Sequence, residues 1–265
     1  MNKTNQVQAN IHPGAKIADG VIIEPFATIY ENVEIGEGSW IGPNAVIMDG
    51  ARLGKNCKVF PGAVISAIPQ DLKYQGEETT AEIGDNTIIR ECVTINKGTR
   101  AKGKTTVGNN SLVMAYVHIA HDCRVGDNVI LVNNAALAGE VEIDDFAIVS
   151  AASLIHQFCR IGKHTMLQGG SRVGKDVPPY ITAGRIPLAY EGLNSIGLKR
   201  RGFPTRKINE IQEIYRVIYH GGYNNSQAME YIKNNFPVSD ERDEILEFMK
   251  ASKRGIIRGL NSDEQ

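Results

Sequence analysis

The sequence predicts a mainly β protein, a parallel β-helix over residues 1–187 followed by an α-helical domain over 188–265. Three regularities carry that reading. An aliphatic residue recurs every six positions from Ile11 through Ile17, Ile23, Ile29, Ile35, Ile41, Ile47, Leu53 and Val59 to Ile65, resumes in phase at Ile83, Ile89 and Ile95, and runs on from Val107 to Val173. Four residues after each stands a small or narrow side chain (Ala15, Val21, Ala27, Val33, Ser39, and so on to Ser171 and Val177), broken only by Pro69. Three residues after each aliphatic, more than half the hexads carry Gly or Asn.

A helix needs apolar residues at three- and four-residue spacing, and a single strand needs them at alternate positions. A strict six fits neither. It fits a short strand followed by a corner, because Gly and Asn tolerate the positive φ such a corner requires. Large and small side chains then point inward and fill a narrow prism. Three hexads close one triangular coil, and successive coils stack about 4.8 Å apart through parallel-strand hydrogen bonds.

Two stretches interrupt the repeat without shifting its phase. The first, near 66–82, contains "IPQDLKYQGEETTAE"; the second, "RAKGKTT", covers 100–106. Both read as loops leaving a rigid scaffold, where functional residues concentrate. After Val177-Pro178-Pro179 the hexads stop, and from about Gly192 the spacing turns helical. Ile208, Ile211, Ile214, Tyr215, Ile218 and Tyr219 share one face, with Thr205 as N-cap and Gly221-Gly222 as the stop. Ser226–Asn235 and Ser239–Arg254 read as two further helices. Such a domain covers the open strand edges at the end of the prism. The basic run Lys199, Arg200, Arg201, Arg206 and Lys207 suits a phosphate or an acidic partner protein.

Composition narrows the function. Hydrophobic residues make up 42%, charged residues 22%, and the formal net charge is -1. That balance argues against a whole-chain nucleic-acid or membrane binder. No apolar run approaches the roughly 20 residues of a membrane span, and the N-terminal segment shows no signal-peptide core. Cys57, Cys92, Cys123 and Cys159 form no CxxC pair, and the expectation is buried free thiols in a reducing cytoplasm.

The chemistry concentrates in "HIAHD". His118 and His121 stand three apart, with Asp122 directly after the second. Stepping one coil on from His121 gives Gly139, and two coils on gives Gln157, so His121, Gly139, Glu140, His156 and Gln157 should cluster along one edge. Histidine is the natural general base near neutral pH, and Asp122 can orient its ring. The Gly139 N–H, unshielded by a side chain, suits a developing oxyanion. No serine or cysteine beside His121 offers a nucleophile, which favours direct attack by a substrate hydroxyl. A lone histidine on a coil corner can equally be inert. His12 and His220 look incidental.

With "IPQDLKY", "HIAHDC", "IHQFCRIG", "DVPPY" and "GLKRRGF" in this order, the chain resembles the UDP-N-acetylglucosamine acyltransferases of lipid A biosynthesis, in the hexapeptide-repeat acyltransferase family. The resemblance implies a left-handed parallel β-helix, a cytoplasmic homotrimer with sites between adjacent prisms, and no cofactor beyond the acyl carrier protein thioester. It implies transfer of an (R)-3-hydroxyacyl group from acyl carrier protein to the sugar 3-hydroxyl of UDP-N-acetylglucosamine. His121 then matches the catalytic base, Asp122 its partner and Gly139 the oxyanion donor. His118, His156 and Gln157 match residues of the substrate cleft, Asp71 and Lys73 match substrate contacts, and Asn194, Arg200 and Arg201 match the nucleotide end. Gln168 and Gly169 match the region that limits acyl length.

Many relatives carry histidine where this chain has Glu140 and Asn96, so Glu140 departs from the usual sugar contact. Gly169 leaves room for a long acyl chain while Gln168 is bulkier than usual, and the preferred length stays open. So does an amino-substituted acceptor sugar, which would give an amide. The N-acyltransferase of the same pathway carries an extra domain before its prism, whereas the hexads here begin at Ile11. Two readings from other classes are a zinc hydratase, whose three-histidine spacing differs from HIAH, and a non-catalytic trimer.

Overall fold

The computed structural model describes residues 8–259. The ends of both predicted domains, and the N-terminal stretch scanned for a signal sequence up to Val7, lie outside the described residues. Each hexad aliphatic sits in a two- to four-residue strand, and every third strand pairs in parallel. Three sheets result. Face A runs through Ile11, Ile29, Ile47, Ile65, Ile95, Ile119, Leu137, Ile155 and Val173. Face B runs through Ile17, Ile35, Leu53, Ile83, Val107, Val125, Ile143 and Ile161. Face C runs from Ile23 through Ile41 and Val59 to Val149 and Leu167. The inward aliphatics are buried from Ile23 onward and form one continuous core. Fully burying one such side chain contributes about 1.5–3 kcal/mol, which offsets the meagre hydrogen bonding of two-residue strands.

The outward residues differ by face. Face B carries an in-register ladder of alternating charge, Lys16, Glu34, Arg52, Glu82, Thr106, Arg124, Glu142 and Arg160. Lys16 pairs with Glu34 at 2.9 Å, and Glu142 sits within 3.8 Å of both Arg124 and Arg160. Face A mixes Val46, Val64, Ala136 and Leu154 with Asn10, Thr28, Thr94, His118 and Arg172, and face C shows Ile22, Trp40, Ile88, Leu112, Ile130, Ile148 and Met166 with Lys58 among them. Face B is a charge ladder, face A is mixed, and face C is largely apolar.

The corners take the left-handed backbone conformation even where the residue is neither Gly nor Asn. Asp122 (φ 61), Glu140 (φ 60), Phe158 (φ 67) and His164 (φ 58) all do so. Such residues cost on the order of 1–3 kcal/mol each and persist only where the surroundings enforce them, here the coils above and below.

Both interruptions leave the prism at the corner joining face A to face B, on consecutive coils. Face A advances 30 residues from Ile65 to Ile95 and 24 from Ile95 to Ile119, where other coils advance 18. The loops are shorter than the sequence suggested. Thr80–Ile83 and Lys104–Val107 are four-residue strands that pair along their full length, so Thr80–Glu82 and Lys104–Thr106 belong to face B.

Beyond Val173, Ile181–Gly184 and Ala189–Leu193 form an antiparallel hairpin on the end of face C. The expected division at 187/188 therefore falls between two strands of one sheet. Four helices follow: α1 (Ser195–Arg200), α2 (Thr205–His220), α3 (Asn225–Asn235) and α4 (Asp240–Ala251). Pro204, not Thr205, occupies the N-cap position of α2, with no side-chain capping bond, because Pro204 is extended and Thr205 already lies in the first turn. Helix α4 stops before Arg254, as the chain turns at Ser252 to place Ile256 and Ile257 against the prism. Tyr215 donates to the Pro179 carbonyl at 2.6 Å, and the Arg160 guanidinium lies 4.3 Å over the Phe248 ring, seating the helices on the prism end. Cys57, Cys123 and Cys159 are buried, but Cys92 is exposed, since its position is a corner instead of an inward one.

Candidate active site

His121 sits in the corner turn just past its face A strand, His118–Ile119, on the coil directly after the two insertions. Its ring is nearly enclosed, with Nδ1 2.8 Å from Asp122 Oδ2. Asp122 is fully buried, and donors surround its carboxylate. Oδ1 accepts the Thr99 N–H at 2.9 Å and the Lys102 N–H at 3.1 Å, and Oδ2 accepts the Thr99 hydroxyl at 2.6 Å. An ionised carboxylate only accepts, so the His121 bond must be Nδ1–H donating to Oδ2. That tautomer leaves a lone pair on Nε2, as a general base requires.

One coil on, Gly139 lies against the imidazole. A Cβ at Gly139 would come within 2.6 Å of both Cε1 and Nε2 of His121. Any side chain would displace the ring. Among the described residues the Gly139 N–H meets no protein acceptor, so a donor is held free beside Nε2. In front of the ring is a cleft of about 320 Å³ lined by Asp71, Lys73, Thr99, Glu140, Gln157 and Phe158, among others. Asp71 comes from the first loop, where it accepts the Lys73 N–H at 2.9 Å and points Oδ2 to 3.9 Å from His121 Nε2.

The structure therefore brings together His121, Asp122, Gly139, Glu140, Gln157, Asp71 and Lys73. Sequence spacing placed those on the prism in one cluster, and gave no hint that the loops would hang over it. Missed altogether were Thr99 and the Lys102 amide, which hold Asp122, and Phe158, half exposed at the cleft wall. The one available signal was the shared phase of the two insertions with the corner that follows them.

Other sequence-selected residues lie elsewhere on the same chain. His118 and His156 project from face A and do not line this cleft. His118 Nδ1 meets Thr94 Oγ1 at 2.8 Å, and burial lowers its pKa. The His156 Nδ1 donates to the Gln157 carbonyl at 3.0 Å, freeing Nε2. Asn96 donates to the Ile68 carbonyl at 3.1 Å, pinning the start of the first loop, while its buried Oδ1 has no partner among the described residues. Gln168, at the rim of face C, binds Glu191. Gly169 is exposed, and an added Cβ would meet only the Ala151 carbonyl, at 3.4 Å.

Asn194 and Arg201 fasten to the corner between faces B and C. Asn194 caps α1 through the Gly197 N–H and donates to the His164 carbonyl at 2.9 Å. Arg201 donates to the Phe146 carbonyl at 2.9 Å with its guanidinium 5.5 Å from the Phe146 ring centre. Burial lowers its pKa, and Nη1 has no partner among the described residues. Arg200 is exposed beside it. Within one chain these residues occupy a different edge from His121. Among the described residues no three side chains are grouped to hold a metal ion, and no helix is long and apolar enough to cross a membrane.

Comparison with known proteins assigns the family. The family described as Udp N-acetylglucosamine O-acyltransferase, Domain 2, matches residues 176–257, and the bacterial transferase hexapeptide family (six repeats) matches 32–67 and 104–139. An acyl-[acyl-carrier-protein]--UDP-N-acetylglucosamine O-acyltransferase from Thiobacillus denitrificans is 47% identical, over 94% of this chain and 97% of that protein. A UDP-N-acetylglucosamine acyltransferase structure from Bacteroides fragilis is 54% identical with a TM-score of 0.93, covering 95% of this chain and 99% of its own. One from Francisella novicida is 43% identical with a TM-score of 0.94, covering 97% and 95%. The coil sense shared with these proteins makes the prism a left-handed parallel β-helix. On fold, repeat and identity along nearly its whole length, the chain belongs to the UDP-N-acetylglucosamine O-acyltransferase family.

Proposed function

We propose that the chain transfers an (R)-3-hydroxyacyl group from acyl carrier protein to the 3-hydroxyl of UDP-N-acetylglucosamine, the opening step of lipid A biosynthesis. The observation that carries the reading is the His121–Asp122 pair with Nε2 open beside the free Gly139 N–H. A sugar hydroxyl oxygen can stand within hydrogen-bond reach of both Nε2 and Asp71, which lie 3.9 Å apart. Nε2 takes the hydroxyl proton as the oxygen attacks the thioester carbonyl, and the imidazolium is stabilised by Asp122. The Gly139 N–H donates to the oxyanion. Collapse expels the carrier thiolate, and His121 returns the proton to that sulfur. Because the thioester supplies an activated acyl group, the reaction needs no cofactor.

The active form is proposed as a homotrimer. Face C presents a largely apolar outward row and face A a mixed one with Val46, Val64, Ala136 and Leu154, and exposed Phe26 and Tyr116 occupy the corner between them. Packing face A of one prism on face C of the next buries both rows about a three-fold axis. The seam so formed has the His121 edge on one side and the partner's B–C corner on the other. Asn194, Arg200 and Arg201 of the partner subunit then complete the site, with guanidinium groups suited to the diphosphate. His118 and His156 on face A enter the seam, and the acyl tail runs towards Gln168 and Gly169 of the partner subunit. The exposed basic residues of the helical domain suit an acidic carrier protein. With these substrates the enzyme is proposed to work in the cytoplasm.

The test is a mass-spectrometric transfer assay using UDP-N-acetylglucosamine and hydroxyacyl carrier proteins of graded length, with wild type and His121→Ala. A singly acylated sugar nucleotide, lost by about 100- to 10,000-fold in the variant, is expected. No product at any length, or full activity in the variant, would overturn the reading. Product only with an amino-substituted sugar would make the enzyme amide-forming.

A further inference from the structure

At an ordinary corner of this edge, the backbone N–H of the corner residue donates to the coil before it: Glu140 to the His121 carbonyl at 3.0 Å, and Phe158 to the Gly139 carbonyl at 3.3 Å. Asp122 breaks the rule. Its N–H donates to the Thr105 hydroxyl at 2.8 Å, because the coil before it carries the second insertion, six residues longer than the period. The insertion turns its amides inward. Thr99 supplies a backbone N–H and a hydroxyl to the Asp122 carboxylate, and Lys102 supplies a second N–H. The Thr99 oxygen itself accepts the Ala101 N–H at 3.1 Å, so its hydroxyl proton is committed to Asp122. Outside, the Lys102 ammonium is tied to Glu142 at 3.0 Å, fastening the loop to face B.

We infer that the second insertion is a positioning device for the base, in which Thr99 fixes the Asp122 carboxylate so that His121 is held in the Nδ1–H tautomer with Nε2 towards the cleft. The inference rests on His121 being the base. Thr99 borders the cleft, but its N–H and its hydroxyl are both spent on Asp122, and it acts through that carboxylate. Its cost to the fold is small, because Thr99 occupies one of the narrow inward positions that the hexad demands anyway. Losing its hydroxyl would leave His121 as the one donor to Oδ2 among the described residues and let the carboxylate tilt about its Oδ1 anchors, and a small misplacement of a catalytic group costs on the order of 100-fold in rate.

Two measurements on the whole protein test this. Steady-state kinetics should show Thr99→Val losing about 10- to 100-fold in kcat with both KM values nearly unchanged, and Thr99→Ser restoring most of it. ¹⁵N NMR of histidine-labelled protein should show His121 as the Nδ1–H tautomer in wild type and Thr99→Ser, and as a mixture in Thr99→Val. Wild-type kcat in Thr99→Val, failure of the serine to rescue, or an Nε2–H tautomer in the wild type would each overturn the proposal. The wild-type spectrum decides even if the valine variant does not fold. His121→Ala serves as the control: activity retained there would remove the base itself, whatever Thr99 does.

Discussion

The His121 imidazole occupies the space that a Cβ on Gly139 would need. The two residues are one coil apart, and the added carbon would stand 2.6 Å from both Cε1 and Nε2. Gly139 is therefore required by the ring that packs on it, and its bare N–H follows from the same constraint. Gly139→Ala should reduce kcat at least about 100-fold, since it displaces the base and crowds the oxyanion donor together, while the thermal midpoint changes by only a few degrees. Near-wild-type kcat in a folded Gly139→Ala protein would mean that the ring has another productive position.

The separation of Arg201 from His121 within one chain leads to a complementation experiment. His121→Ala and Arg201→Ala proteins should each be poorly active alone. If each site takes His121 from one protomer and Arg201 from the next, each mixed trimer has one intact site in three, and a random equal mixture recovers about a quarter of wild-type sites. Co-expressing the two variants and assaying transfer, against the two purified separately and then mixed, measures this directly. No recovery in mixed trimers would place both residues in the same protomer's site.

Acid should destabilise the prism end through His164. Its ring is buried, stacked on Phe146 with centroids 4.8 Å apart, and burial, helped by Arg201 and Lys163, lowers its pKa from 6.5 to about 4. Above pH 6.5 neither state is protonated and the group contributes nothing. Between 6.5 and 4 the unfolded chain takes a proton that the folded chain refuses, so stability falls as pH falls, by up to about 3 kcal/mol at pH 4. His118, lowered by burial in the same direction, adds to the slope. Urea midpoints measured across that window should fall less steeply in His164→Phe, and an unchanged slope would show that the ring is already solvated when neutral.

Much of the molecule was legible because a prism wound on a fixed period converts sequence distance directly into spatial distance. The step of 18 from His121 to Gly139 is such a conversion, and the registers Ala136 on His118 and Glu142 on Arg124 follow the same rule. Helix α2 was readable from its apolar face, although its cap was not: Pro204 is already extended and leaves no place for a Thr205 cap. Cys92 was misjudged because a corner and an inward position differ by a single step along the hexad.

What the sequence alone determined is the scaffold: three faces, the inward aliphatic columns, and the edge on which His121, Gly139, Glu140 and Gln157 align. Each hexad repeats the same local choice, and parallel pairing forces the next coil into register. Tertiary structure decided what lies over that edge. Asp71 reaches within 3.9 Å of Nε2, Thr99 and Lys102 enclose Asp122, and Asn194 and Arg201 fasten to another corner. Those segments leave the period, so no spacing rule governs them, and their placement is set by side-chain hydrogen bonds to whichever coil their anchoring strands bring within reach.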